Sequence, residues 1–164
     1  MWGDAYLEQA RSDWKAYIEI QKLLLDGCHK LYYLRATTEK LGKAALLKGG
    51  THDVSDLSKK HKVFVKYLQI STKNLKLCKT LGIHPSQLKP YIEDILPLAN
   101  CLQNLAPGEG NYGPNAEYPW ETSGKVFAPA SYKFPEIAEL SSSSNGRKLL
   151  QLVRSILEKF EAVY

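Results

Sequence analysis

Apolar positions recur at helical spacing along most of the chain. At 100° per residue, one face of a first helix over residues 4–25 collects Tyr6, Leu7, Ala10, Trp14, Tyr17, Ile18, Leu24 and Leu25. A second amphipathic stretch covers residues 28–48 and ends at Gly49-Gly50, as is typical of helix C-caps. The sequence therefore predicts two long helices in its first third.

Three further helices are predicted beyond residue 50. The third covers residues 55–81, between candidate caps at 53–55 and the helix-ending Gly82. The fourth covers residues 86–106, where Pro97 is expected to kink it. The last, over residues 146–163, has the clearest amphipathic pattern, carried by Leu149, Leu152, Val153, Ile156, Leu157, Phe160 and Val163.

A long connection, residues 107–145, separates the fourth helix from the last. Residues 107–135 contain five prolines and four glycines among six aromatic residues, which indicates a connection that packs on something. Residues 141–144 are four serines, read as a polar linker, and no alternating run predicts a strand. The predicted fold class is all-α, a bundle of four to five helices with a long aromatic, Pro- and Gly-rich loop before the last helix.

Composition places the chain among globular proteins. Its 164 residues, 44% hydrophobic and 24% charged, fit one domain covering residues 1–164. No apolar run is long enough to span a membrane and the first residues do not resemble a signal peptide, so we expect a cytoplasmic protein. Cys28, Cys78 and Cys101 are too far apart for a Cys-x-x-Cys site, and we expect reduced, buried thiols.

Charge is distributed unevenly. Residues 22–89 hold 14 Lys and Arg against 4 Asp and Glu, a net +10, so the remainder of the +5 chain carries −5. On the predicted third helix, a sector of about 100° collects Lys59, Lys62, Lys66, Lys73 and Lys76. This lysine stripe is either a solvated face or a phosphate-binding surface, and the aromatic side chains of Tyr118 and Trp120 would then offer stacking surfaces.

The second helix and the turn after it resemble the HEPN domain, a family named for nucleotide binding in higher eukaryotes and prokaryotes. The similar features are the segment 39–44 (Glu-Lys-Leu-Gly-Lys-Ala), the Thr51-His52-Asp53 turn and the Tyr118-Pro119 pair. The first and last helices are similar as well, so the resemblance covers nearly the whole chain. Two features depart from the family: Glu117 stands where Arg often precedes Tyr-Pro, and the connection is long.

Many HEPN proteins are metal-independent ribonucleases in which Arg is followed four to six residues later by His. Arg11, Arg35, Arg147 and Arg154 all lack such a histidine. A rearranged site that uses Arg35 with His29 stays open, as does an ordinary ion pair of Arg35 with Glu39 four residues on.

The other candidate groups have structural interpretations. His52 and Asp53 suit a turn and a cap, His61 suits the edge of the core, and Arg147 and Arg154 suit solvated surface. The four histidines lack metal-ligand spacing, so we expect neither a metal nor another cofactor.

The resemblance implies a non-catalytic HEPN-type domain in a toxin–antitoxin or defence-type module. It would bind a nucleotide, RNA or a nucleotidyltransferase partner and form a homodimer. The candidate binding residues are Arg35, Lys59, Lys62, Lys66, Lys73, Lys76, Tyr118 and Trp120. Two alternatives stay open: a metal-independent HEPN ribonuclease with a degenerate site, and a purely structural module that docks on a protein through residues 107–135.

Overall fold

Helices dominate the fold, with one small sheet. The computed structural model describes residues 1–106 and 113–164. The α-helices in these ranges are α1 (Trp2–Gln21), α2 (Gly27–Lys48), α3 (Val54–Leu57), α4 (Phe64–Ile70), α5 (Leu75–Leu81), α6 (Pro85–Asn104), α7 (Pro135–Ser142), α8 (Ser144–Glu158) and α9 (Phe160–Val163). Single 3-10 turns cover Ser71–Lys73 and Pro129–Ser131. The predominantly helical class is confirmed, and the HEPN-type arrangement stays a prediction.

The second helix, α2, lies at the centre of the fold. It packs along α1 and also contacts α4, α6 and α8, so most of its side chains from Leu31 to Leu46 are buried. The predicted bounds of α2 are confirmed within one residue. The predicted end of α1 is wrong, because the helix stops at Gln21 and Leu24 is fully exposed in the turn before α2.

The predicted third helix, over residues 55–81, is wrong as a single element. The chain forms α3, α4 and α5 instead, with non-helical residues between α3 and α4. At the second interruption Asn74 has extended backbone geometry and caps α5, its side chain accepting from the Leu77 amide (3.0 Å), while the Ser71 hydroxyl donates to the Tyr67 carbonyl (2.8 Å) at the end of α4. Each piece still places apolar residues in the core, including Leu57, Phe64, Leu68 and Cys78.

At the first interruption, between α3 and α4, the backbone at the start of α4 packs closely on α2. A Cβ on Gly42 of α2 would lie 3.0 Å from the Cα of Phe64 and 3.2 Å from the carbonyl carbon of Val63. Gly42 therefore lets the start of α4 approach α2 more closely than any other residue type would.

The fourth helix is confirmed as α6. The His84 ring accepts from the Ser86 amide as the N-cap, and Pro85 occupies the first turn. The helix continues through Pro90 and Pro97. Its Tyr91 hydroxyl donates to the Lys148 carbonyl of α8 (2.6 Å), which joins the two helices.

The connection before the last helix contains more structure than its sequence predicts. Strands β1 (Trp120–Thr122) and β2 (Lys125–Phe127) pair antiparallel, so the expectation of no strand is wrong. Ser123 and Gly124 both have positive φ, as a two-residue hairpin turn of type I′ requires. The expected serine linker is wrong too: Ser141 and Ser142 belong to α7, which begins at Pro135 and packs on α8. Tyr112 and the rest of 107–112 lie outside the described residues.

The predicted last helix is divided at Lys159 into α8 and α9. Its apolar face is buried as expected, with Leu149, Leu152, Val153 and Ile156 fully enclosed. Buried side chains from α1 to α9 and from the hairpin form one hydrophobic cluster. No helix in the described parts of the chain is long and apolar enough to cross a membrane.

Candidate functional site

Arg35 of α2 is held by two carboxylates. Its side chain is only 7% exposed, and its Nη1 donates to Glu39 Oε2 (3.2 Å), which confirms the predicted intrahelical pair. Its Nη2 donates to Glu117, a partner that the sequence did not suggest. The Asn115 side chain accepts from the amides of Glu117 (2.7 Å) and Tyr118 (3.1 Å), and so holds this part of the connection in a turn.

Glu39 joins further charges to this pair. Its carboxylate accepts from Lys43 Nζ (2.8 Å) and lies 3.0 Å from His61 Nδ1. Burial raises the pKa of Glu39, but the hydrogen bonds and charges of Lys43 and His61 outweigh burial and hold the pKa below its usual value. His61 is thus a partnered histidine at the core edge, as predicted. We call Arg35, Glu39, Lys43, His61 and Glu117 the buried ion network.

This network changes the interpretation of Arg35 as a ligand-binding residue. A guanidinium paired with two carboxylates is not available to bind a phosphate unless one pair breaks. His29, its suggested partner in a rearranged ribonuclease site, is exposed and lines a cavity of about 460 Å³. That cavity is also lined by Tyr32, Tyr33, Glu117 and Tyr118, but Arg35 is not among its lining residues.

The five candidate lysines do not form a helical stripe. Lys59 and Lys62 lie between α3 and α4, Lys66 lies on α4, Lys73 in the 3-10 turn and Lys76 on α5. The 100° sector assumed one continuous helix, so that prediction is wrong. All five side chains are nevertheless exposed. Residues 57–92 contain eight lysines and neither Asp nor Glu, so this part of the surface is basic without acidic neighbours in sequence.

The two candidate aromatic residues have different surroundings. Tyr118 is 60% exposed beside the His29 cavity, and it remains available for contact. Trp120 is only 8% exposed, since strand pairing sets it against Phe127 at 5.7 Å between ring centroids, and Tyr132 packs on its edge at 4.9 Å. Trp120 therefore has little exposed surface on which a ligand could stack. Trp120, Phe127, Tyr132 and Phe134 pack on one another, and Trp120 and Phe134 belong to the hydrophobic core, so this part of the connection packs on the fold as predicted.

A groove between α1, α7 and α8 was missed by sequence reasoning. It has a volume of about 730 Å³ and is lined by Trp14, Tyr17, Ile18, Gln21, Lys30, Ile137, Leu140, Ser141, Arg147, Leu150, Gln151 and Arg154. We call it the cationic groove. Arg147 and Arg154 are exposed as predicted. Their spacing of seven residues, which places both on the same face of one helix, is the one sequence feature that indicates this groove. No feature of the sequence indicates that Lys30 of α2 lies beside them.

Cysteines and metal-ligating residues form no further candidate site in the described parts of the chain. Cys28 and Cys78 are buried thiols as expected, whereas Cys101 is exposed on α6, which corrects the prediction for that residue. Within residues 1–106 and 113–164, no three His, Cys, Asp or Glu side chains are grouped so that they could hold a metal ion.

Comparison of the chain with protein-family models, with curated proteins and with solved structures found no match. The HEPN resemblance therefore stays a prediction that rests on the residues quoted above.

Proposed function

We propose that the chain is a non-catalytic binding protein for single-stranded nucleic acid, with the phosphates contacted by lysines of residues 59–79. We call these residues the basic segment. The observation that carries the proposal is its charge: Lys59, Lys60, Lys62, Lys66, Lys73, Lys76 and Lys79 are all exposed, and no carboxylate occurs between residues 57 and 92. Lysines at such density attract phosphates irrespective of base sequence.

The basic segment is anchored to the fold rather than free. Phe64, Tyr67 and Leu68 of α4 are fully buried, as are Leu77 and Cys78 of α5. The lysines thus project from two short helices and the turns around them at fixed places on the surface. A folded basic surface of this kind loses less entropy on binding than a disordered tail would.

The non-catalytic part of the proposal is supported by the buried ion network. Arg35 is the arginine nearest to the HEPN-like segment 39–44, and Glu39 and Glu117 both neutralise it. The competing function, a metal-independent ribonuclease that uses Arg35 and His29, would require Arg35 to break at least one of these two pairs.

Binding is tested by fluorescence anisotropy of a labelled single-stranded RNA at several salt concentrations. We expect the logarithm of affinity to fall with the logarithm of salt concentration by about 0.7 per phosphate contact. Replacing Lys66, Lys73 and Lys76 together by Gln is expected to flatten the slope by up to about two units. The matched control replaces Lys125, Lys133 and Lys159, which are exposed lysines elsewhere. Equal losses in both variants, or wild-type binding that does not depend on salt, would refute the proposal.

A nucleotidyltransferase partner and a homodimer formed through helices are further proposals that follow from the HEPN resemblance. Exposed apolar side chains at the two ends of α1 are available for contacts with either, namely Trp2 at its start and Leu23, Leu24 and Leu25 in the turn after its end. Sedimentation velocity at micromolar protein is expected to show a species of twice the 18.5 kDa chain mass. A single 18.5 kDa species would rule out the homodimer.

A further inference from the structure

The cationic groove has an apolar lining that is partly aromatic, from Trp14 and Tyr17, and partly aliphatic, from Ile18, Ile137, Leu140 and Leu150. Trp14 and Tyr17 of α1 stack with their ring centroids 5.2 Å apart and their planes 29° from parallel. Tyr17 is buried beneath the surface, whereas Trp14 is partly exposed. Burial raises the pKa of Tyr17 to about 12, so its hydroxyl stays neutral at physiological pH. Trp14 therefore presents an uncharged aromatic surface to whatever enters the groove, and Tyr17 supports it from beneath.

The charge of the groove has one sign. Its described lining residues include Lys30, Arg147 and Arg154 but no Asp or Glu. Arg147 donates to the Ser142 carbonyl (3.2 Å), which orients its guanidinium without neutralising it. Lys30 and Arg154 form no ion pair with an acid in the described parts of the chain. Three cations around an apolar lining are complementary to an anion that has an apolar body.

We propose that the cationic groove binds a small organic anion with a flat aromatic body. The aromatic body lies on Trp14, and its phosphate or carboxylate pairs with Lys30 and Arg154. A volume of about 730 Å³ suits such a molecule, since small-molecule sites span roughly 300–1,000 Å³. The amides of Gln21 and Gln151 supply hydrogen-bonding groups at the same groove. The partly exposed ring of Trp14 favours a planar body that can stack on it over an aliphatic chain.

This inference goes beyond the proposed nucleic-acid binding and is independent of it. The cationic groove and the basic segment have no residue in common, because the groove lies on α1, α2, α7 and α8. Replacing Lys66, Lys73 and Lys76 by Gln should therefore leave binding in the groove unchanged. The two proposals can fail separately.

Isothermal titration calorimetry with two aromatic anions tests the inference. Adenosine 5′-monophosphate carries a phosphate and 2-naphthoate a carboxylate, so the two probes distinguish the possible anionic groups. Adenosine and 2-naphthamide are their neutral counterparts, and decanoate is an aliphatic anion. We expect at least one aromatic anion to bind about tenfold or more tightly than its neutral counterpart and than decanoate.

Variants locate the binding. Replacing Lys30 and Arg154 together by Gln is expected to weaken binding of the aromatic anion about tenfold. The control pair Lys133→Gln and Lys159→Gln removes two exposed charges outside the groove and should change affinity less than twofold. Trp14→Leu should weaken binding while Trp2→Leu, at an exposed tryptophan outside the groove, should not. If Trp14→Leu does not fold, as judged by circular dichroism, the charge pair alone decides.

The inference is overturned by any of three results. These are the absence of binding by both aromatic anions at millimolar concentration, equal loss of affinity in the groove and control pairs, and binding of decanoate in preference to the aromatic anions. Binding of only one aromatic anion supports the inference and identifies its anionic group.

Discussion

Glu117 accepts a hydrogen bond from Arg35, which lies 82 positions earlier in the chain. The pair joins the connection after α6 to the central helix α2, and both side chains are largely buried, 7% exposed for Arg35 and 20% for Glu117. Partners so well shielded from solvent interact more strongly than surface ion pairs do. Glu117 is also one of the positions at which the chain departs from the HEPN pattern.

Removal of Glu117 is expected to destabilise the fold. Glu117→Ala leaves the Arg35 guanidinium buried with Glu39 as its remaining carboxylate, which should lower the free energy of unfolding by about 1–3 kcal/mol. Urea denaturation measures the change. Glu121→Ala is the control, because Glu121 is exposed on β1 and its loss should cost less than about 0.5 kcal/mol. Equal effects of the two substitutions would show that the Arg35 contact contributes nothing specific.

Glu39 is expected to make stability depend on acidic pH. Its folded-state pKa lies below the ordinary value of 4.5, so the unfolded chain binds the proton more readily. The contribution is fully present above pH 4.5 and is lost as pH falls through the lowered pKa. Glu39→Gln should therefore have a shallower decline of unfolding free energy below pH 4.5.

The pH dependence of Glu39 is best measured in a chain that lacks the other carboxylate with a lowered pKa, Asp4. Hydrogen bonds and charges from Lys48 and the N-terminus lower the pKa of Asp4 to about 2, so exposed Asp4 titrates in the same acidic range. Comparison of Glu39→Gln with its parent in an Asp4→Asn chain removes that contribution. Identical pH dependence in the two chains would contradict the assignment to Glu39.

Replacing three helical glycines by alanine, one at a time, should change the stability of the fold by different amounts. A Cβ at Gly146 of α8 would lie 2.4 Å from the Glu139 carbonyl oxygen and 2.7 Å from the Leu140 Cα, which forces α7 away from α8. At Gly42 the nearest contact is 3.0 Å, and at Gly3 of α1 it is an ordinary 3.5 Å. We expect Gly146→Ala to destabilise most and Gly42→Ala less.

Gly3→Ala is the internal control of this series. It should be neutral or stabilising by up to about 1 kcal/mol, because alanine has the higher helix propensity and meets no obstacle there. Thermal unfolding of the three variants measures the order. If Gly146→Ala were as stable as Gly3→Ala, the close packing of α7 on α8 would not exist in solution.

The chain is expected not to cleave RNA, since Glu39 and Glu117 neutralise Arg35 and no arginine has the expected histidine after it. The measurement is incubation with mixed single-stranded RNA, with and without a chelator. Metal-independent cleavage that disappears in Arg35→Ala or His29→Ala would make the ribonuclease function the leading one.

Sequence reasoning succeeded where structure depends on neighbours along the chain. The extents of α2 and α6 follow from apolar spacing and from local caps and turns. It failed for residues 55–81, where apolar spacing continues although the chain leaves the helical conformation between α3 and α4 and again at Asn74, the N-cap of α5. The hairpin at 120–127 is also a local structure. The Ser123-Gly124 pair is typical of a turn, but the strands on either side are too short for an alternating pattern to predict them.

The sequence by itself determined the extents of α2 and α6 and the pairing of Arg35 with Glu39 within one helix. Arg35 meets Glu39 because four residues make slightly more than one helical turn, whatever surrounds the helix. Only the tertiary structure decided that Glu117 is the second partner of Arg35, that Trp120 is buried, and that Lys30 joins Arg154 at one groove. These contacts join residues far apart in the chain, and their geometry is set by how the helices pack rather than by any local spacing.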